Sequence, residues 1–482
     1  MDFILLVAGN LLPWWLGVAF LLALPRAREV VAPGEAAWTC GAGYLAGAFL
    51  LTVWMRVLSL AGVKFGLVAI VLPLVLLAVV LSWLAWRRAP GVPGATLRDA
   101  ATALPRSPAL TGAARIVWWC VIAWLGLRFV LLAIEVGTRP LYPWDAWTQW
   151  ATKARVYYEL GDIVPFLRPG PWLAANGAAY FDASPEYPPT MPLLQVYNSL
   201  LLGRWDDTLM NGAWWQTGLA LTLVMYGGLR SLGTTALAAL AGAFLVSSLP
   251  LANVHVALAG YADLPLAACY TAAALALLRW IDRRDAGNAV CVLLLAAACT
   301  QIKNPGWFWA ATLVPGFIVA RWPRHGLRIA FAGFAAAAVL LVLLARFKLR
   351  LFNYELNLTY TPAWGDLAES YFLLGNWHLL WYGAVAVALV AWRHLFDRAL
   401  APLTTIVIAG LMFLFVVFGF TTASYYITDQ TTVNRATLHL APLVVAFMIL
   451  AWQVFATRFG ARHAEASSSL PSPAPAMPAA TS

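Results

Sequence analysis

The chain reads as a succession of long apolar runs separated by short polar or basic connections. Within the runs apolar residues are continuous and do not alternate with polar ones. An α-helix needs about 20 such residues to cross the hydrocarbon core of a bilayer. A membrane barrel alternates apolar and polar positions over about 10 residues, so the continuous runs argue against it. The runs predict thirteen helices, at about 2–24, 39–61, 63–86, 114–136, 211–231, 234–250, 261–281, 287–302, 305–321, 326–346, 377–394, 400–420 and 434–457. The expected fold is an all-α polytopic membrane protein of about 13 transmembrane helices. A long first core loop, from 137 to about 210, would carry interfacial helices on the outside. Three regions are expected: a three-helix membrane extension with a cytoplasmic loop (1–112), a transmembrane core (113–457) and a disordered Ala/Ser/Pro-rich tail (458–482).

Composition strengthens this reading. Of 482 residues, 62% are hydrophobic and 11% charged, whereas soluble domains carry roughly 45–50% and about 25%. A water-soluble enzyme is therefore excluded. The 25 Trp and 16 Tyr suit extensive membrane–water interfaces. A formal charge of +10 would suggest nucleic acid in a soluble domain. Here the basic residues fall in alternate short connections, so they report topology, and no nucleic-acid partner is expected. Arg26 and Arg28, then Arg87, Arg88, Arg98, Arg106 and Arg115, then Arg279, Arg283 and Arg284, Arg321, Arg324 and Arg328, Arg393 and Arg398, and Arg458 and Arg462 mark one face. Basic loops stay cytoplasmic, which puts the N-terminus outside and the C-terminus inside. The start Met1-Asp2-Phe3 lacks the positive region of a signal peptide, so the first helix reads as a retained span. Cys40, Cys120, Cys269, Cys291 and Cys299 lie in apolar runs without metal-site spacing.

Candidate chemistry gathers on the opposite face. Asp145 stands near the start of the segment Tyr142 to Arg155, and Trp147, Trp150, Ala154 and, just beyond it, Tyr157 recur at helical spacing. Glu186 stands before the rigid Pro188-Pro189 pair. Asp263 enters an apolar span in Gly260-Tyr261-Ala262-Asp263-Leu264-Pro265, and ionisable residues at such depth are expensive unless paired or functional. Lys303, in Gln301-Ile302-Lys303-Asn304-Pro305-Gly306, and Arg435, in Asn434-Arg435-Ala436, are cations where positive-inside sorting disfavours them. Taken singly, each acid also reads as a helix cap or loop residue, and each cation as a snorkelling one. Topology brings all five to one membrane level. A carboxylate near an acceptor hydroxyl serves as a general base, and nearby cations hold a phosphate leaving group. Lys153 is a third candidate cation. Arg128 and Glu135 share a helix face, and with Arg56 they read as structurally paired membrane charges. Asn357-Leu358-Thr359 is a short glycosylation sequon of little weight.

These motifs, in this order, resemble the GT-C membrane glycosyltransferases, especially the protein O-mannosyltransferase and lipid A aminoarabinose transferase branch. Asp145 matches the catalytic acid that opens the family's first outside loop. Glu186-Tyr187-Pro188-Pro189-Thr190 resembles a Glu-basic-Pro-Pro-Leu element but lacks the basic residue. Asp263-Leu264-Pro265 resembles an Asp-x-Pro element, the Lys303 segment a Thr-Lys-Gly element, and Arg435-Ala436 an Arg-Tyr start. The resemblance implies a polyprenyl-phosphate sugar donor, a glycan, lipid or protein acceptor, an extracytoplasmic site in a bacterial inner membrane, and inversion at the sugar. Asp145, Glu186 and Asp263 would be catalytic; Lys303, Arg435 and Lys153 would bind the lipid phosphate. The family's paired acids are replaced by Asp145-Ala146, which leaves a divalent metal an open question. Two other classes compete: a transporter or flippase of lipid-linked sugars, although no internal repeat is visible, and an O-antigen ligase-like enzyme, for which His255 and His439 are the candidate histidines.

Overall fold

The structure is a computed structural model and describes residues 2–25, 32–88, 110–347, 350–351, 354–355, 360 and 363–468. Arg26, Arg28, Arg98, Arg106, the sequon at 357–359 and the tail beyond 468 lie outside the described residues. The main helices are α1 (Asp2–Ala23), α2 (Glu35–Leu60), α3 (Leu67–Arg88), α4 (Gly112–Thr138), α5 (Ala151–Leu160), α6 (Thr190–Leu202), α7 (Gly212–Ser231), α8 (Ala236–Ser248), α9 (Pro250–Ala257), α10 (Asp263–Arg283), α11 (Ala286–Ile302), α12 (Gly306–Ala311), α13 (Leu313–Arg321), α14 (Gly326–Arg346), α15 (Leu380–Val390), α16 (Ala401–Phe420), α17 (Thr431–Leu438) and α18 (Ala441–Ser468). Two short strand pairs, Phe166–Leu167 with Tyr180–Phe181 and Arg350–Leu351 with Tyr354–Glu355, are the described sheet.

Among the described residues eight helices are long and apolar enough to cross a membrane, and the pair α8–α9, bent by 61°, makes up to nine. The protein is thus an all-α integral membrane protein. The other expected helices are present but shorter, less apolar or divided, and proline explains the divisions. A helical proline has no N–H and its ring opposes the carbonyl four residues back. Pro442 stands four residues after Leu438, where α17 ends; Pro315 stands four after Ala311, where α12 ends. Pro250 opens α9 just past the bend. Two of these breaks, at Pro442 and Pro250, turn the chain beside the site described below.

α10 is the axis of the bundle and is almost wholly buried. One apolar core includes described residues of α1, α2 and α3 together with those of the later helices through α18. α2 lies so close to α7 that a Cβ on Gly227 would stand 2.2 Å from the Trp38 nitrogen. Trp14 Nε1 donates to Gln216 Oε1 at 2.8 Å, and Tyr44 Oη to the Ala213 carbonyl at 3.2 Å. At the far end of α10, Arg279 donates to both oxygens of Glu35 (3.0 and 2.8 Å) and stacks 4.6 Å from the Trp38 ring. By contrast, α14 exposes apolar side chains on nearly all sides. Such a helix is tolerable in hydrocarbon, which solvates leucine as well as another helix does.

The long first core loop is more structured than a surface excursion. Its helix α6 is nearly all buried. Tyr197 Oη donates to the Gly9 carbonyl at 2.7 Å, and Asn10 Nδ2 to Asn198 Oδ1 at 2.9 Å. The membrane charges also pair differently from the expectation. Arg128 donates to Asn253 at 2.8 Å, while Glu135 binds Arg139 one turn on. Arg56 is held by Gln301 Oε1 (2.8 Å) and Thr190 Oγ1 (2.6 Å), neutral oxygens in place of an acid. The last helix continues to Ser468, eleven residues past the expected end at 457.

Candidate functional site

Four of the six expected site residues meet at one end of the bundle. Asp263 is the first residue of α10, with Pro265 in the first turn, where its missing N–H costs nothing. Lys303 follows the last turn of α11 in extended backbone (φ −155°, ψ 146°). Arg435 lies on α17, and His439 stands in the break that Pro442 imposes. Asp263 Oδ1 accepts from Lys303 Nζ at 2.7 Å and from His439 Nε2 at 2.9 Å. Its Oδ2 accepts from Arg435 Nε at 2.9 Å and Nη2 at 2.8 Å. Arg435 Nη2 also donates to Asp145 Oδ2.

The two carboxylates differ in kind. Asp263 is fully buried and both oxygens carry two donors. Asp145 uses one oxygen, and Oδ1 has no hydrogen-bond partner among the described residues; its side chain is 17% exposed against 0% for Asp263. Asp263 is therefore an anchor, which corrects its assignment as a catalytic acid: a carboxylate with every acceptor position filled has no room to take a proton. Arg435 Nη1 makes no hydrogen bond among the described residues, and Lys303 Nζ makes one, to Asp263. Burial alone acts to lower the Arg435 pKa, but the carboxylates of Asp263 and Asp145 outweigh it and raise it above the usual range.

His439 is held as a single tautomer. An indole N–H only donates, and Trp309 Nε1 lies 2.9 Å from His439 Nδ1. Nδ1 therefore accepts, and the proton sits on Nε2, facing Asp263. Both nitrogens are used and burial lowers the ring's pKa, so His439 stays neutral and positions Asp263. The ligase-type reading loses that histidine.

The chain around Asp145 is built for close approach. Ala146–Trp150 is one turn of π-helix, a form that is rare and frequent at functional sites. A second π-turn, Glu369–Leu373, also reaches this region: Ser370 Oγ donates to Asn434 Oδ1 at 2.9 Å, beside Arg435. Tyr261 spreads its ring 4.3 Å from the Arg435 guanidinium carbon. Gly260 before it has φ +124°, and a Cβ there would stand 2.4 Å from Ala146 Cβ. Gly260→Ala is expected to cost on the order of 2–4 kcal/mol through backbone strain plus overpacking. Gly233→Ala is the control, since φ is also positive (+87°) but a Cβ meets nothing within 4 Å. Equal thermal shifts in detergent for the two variants would refute the close-packing argument.

Glu186 and Lys153 do not join the cluster, which corrects both expectations. Glu186 is paired with Arg168 at 3.2 Å in its own loop. Lys153 is buried; its ammonium donates to the carbonyls of Ser184 (2.8 Å) and Tyr187 (3.3 Å) and faces Asp182 at 3.7 Å. Burial lowers the Lys153 pKa and raises that of Asp182 to about 6. Lys153 therefore fastens the 182–187 loop through two carbonyls and an ion pair with Asp182. Among the described residues no three His, Cys, Asp or Glu side chains form a metal-holding group. Asp145 and Asp263 face each other across a guanidinium, a poor setting for a divalent cation, so the residues do not fit the metal.

No family model matches the chain, and neither a curated protein nor a solved structure matches it.

Proposed function

We propose that this chain is an integral-membrane glycosyltransferase that moves a sugar from a polyprenyl-phosphate donor to an acceptor on the extracytoplasmic face of a bacterial inner membrane. One observation carries the reading: an open carboxylate oxygen on Asp145 shares Arg435 with a saturated buried anchor, Asp263, which also holds Lys303. Asp145 Oδ1 takes the acceptor hydroxyl's proton. The acceptor oxygen attacks the anomeric carbon as the bond from that carbon to the phosphate oxygen breaks. The bonding pair leaves with the polyprenyl phosphate, and the added charge is met by Arg435 Nη1 and Lys303 Nζ. A single displacement inverts the anomeric centre. Charge that grows in the transition state is what fixed cations stabilise best. The GT-C likeness supports the same assignment for Asp145, Lys303 and Arg435, while Glu186, Lys153 and Asp263 drop out as reacting groups.

Donor kinetics with purified enzyme test this. Lys303→Met and Arg435→Lys are each expected to raise the donor KM and slow transfer, by roughly 10–100-fold together, the worth of one charge-assisted hydrogen bond. Arg435→Lys keeps the charge but loses the planar fork. Unchanged donor dependence in both variants would put the phosphate elsewhere and end this reading.

A further inference from the structure

One polar group beside the site has no use in the scheme above. His255 is on α9, the short helix that Pro250 turns by 61° from α8. α9 packs against α4, α7 and α17, the last being the helix of Arg435. His255 is 2% exposed. Its Nδ1 lies 2.9 Å from the Leu251 carbonyl oxygen. A carbonyl only accepts, so Nδ1 carries the proton, and in a neutral imidazole Nε2 is then a bare acceptor. That Nε2 is buried and has no hydrogen-bond partner among the described residues. The ring lies 5.2 Å from that of Tyr261, centroid to centroid, and Tyr261 in turn meets the Arg435 guanidinium at 4.3 Å. Tyr261 therefore contacts both, and the His255 imidazole is one aromatic ring away from Arg435.

A buried acceptor with no donor is costly to keep. Phenylalanine would fill the same space and stack on Tyr261 without that cost. The need is for a donor that arrives with the ligand and carries no charge, since Lys303 and Arg435 already supply the cations. We infer that His255 Nε2 accepts a hydrogen bond from a hydroxyl of the bound sugar substrate, making His255–Tyr261 the sugar-recognition side of the site. The inference rests on the proposed function and adds to it the residue that reads hydroxyls. Two sources share this chemistry, the donor's sugar and a sugar acceptor, and the experiment separates them.

The measurement is binding to the full chain in nanodiscs of two probes, a polyprenyl phosphate and the same lipid carrying a hexose, for wild type, His255→Phe and His255→Gln. His255→Phe is expected to bind the bare lipid phosphate as wild type does and to bind the hexosyl lipid about 10-fold more weakly, the worth of one neutral hydrogen bond. His255→Gln, which keeps an acceptor of similar reach, is expected to recover most of that loss; it also serves if the phenylalanine variant misfolds. If hexosyl-lipid affinity holds but the KM for a sugar acceptor rises by a similar factor in His255→Phe, the hydroxyl belongs to the acceptor and the inference stands. If His255→Phe changes neither, Nε2 meets only a buried water and the inference falls while the glycosyltransferase reading survives. If wild type binds neither lipid, the reading itself has failed, and this inference with it.

Discussion

Asp263→Asn is expected to destabilise the protein more than any other change at the site, by about 3–5 kcal/mol. The substitution removes the buried charge that Lys303 and Arg435 share and leaves the two cations beside each other with Asp145 as their remaining acid. Removing one partner of a buried ion pair leaves an uncompensated charge, which costs more than the pair was worth. The readout is the fraction of purified protein that stays monodisperse after stepwise heating in detergent. Converting Asp263 to Asn together with Lys303→Met should recover part of the loss, because one stranded cation goes with the acid. A single variant as stable as wild type would mean that water reaches these cations and that Asp263 is no anchor.

Asp145→Asn should give the opposite profile. The amide oxygen still accepts from Arg435 Nη2, so heating curves should stay close to wild type. Its basicity is gone, and turnover at saturating donor should fall by roughly 10²-fold or more, the usual worth of general-base catalysis. Full turnover in this variant would reduce Asp145 to the residue that opens the π-turn. Together the two substitutions separate a carboxylate that holds the site from one that acts in it.

The four residues that converge were legible in the sequence because each sits at the end of an apolar run. Asp145, Asp263, Lys303 and Arg435 lie far apart along the chain, but alternation of basic and non-basic connections assigns their run ends to one face. Glu186 and Lys153 were misread because a loop of that length has no periodicity to show which charge meets which. Arg168 and Asp182, both within the same loop, capture them. Helix α6 was missed for a related reason. Its Pro-Pro-Thr-Met-Pro start reads as rigid and extended, yet Pro192 falls in the first turn, where it breaks no helical hydrogen bond. The π-turn after Asp145 leaves no trace in an apolar pattern, since it adds one residue to one turn. His439 entered only as a ligase-type candidate; Pro442, three residues on, is the signal that marks a break there.

α10 carries an ion cluster at each end, Asp263 at its start and Arg279 near its finish, ~24 Å apart at the α-helical rise. At one end α11, α17 and the chain before α18 hold it; at the other, α2 does, with Asn288 at the start of α11. A helix clamped at both membrane faces behaves as a strut. It resists sliding along the membrane normal, and tilting it strains both clamps at once. Carrying a solute by alternating access would require the central element to release one clamp in each half-cycle, breaking a buried charge network every time. Chemistry at one end asks for no such release. If the chain works as proposed, motion is expected in the elements at the Asp263 end, the π-turns and α17, with α10 fixed between its two clamps.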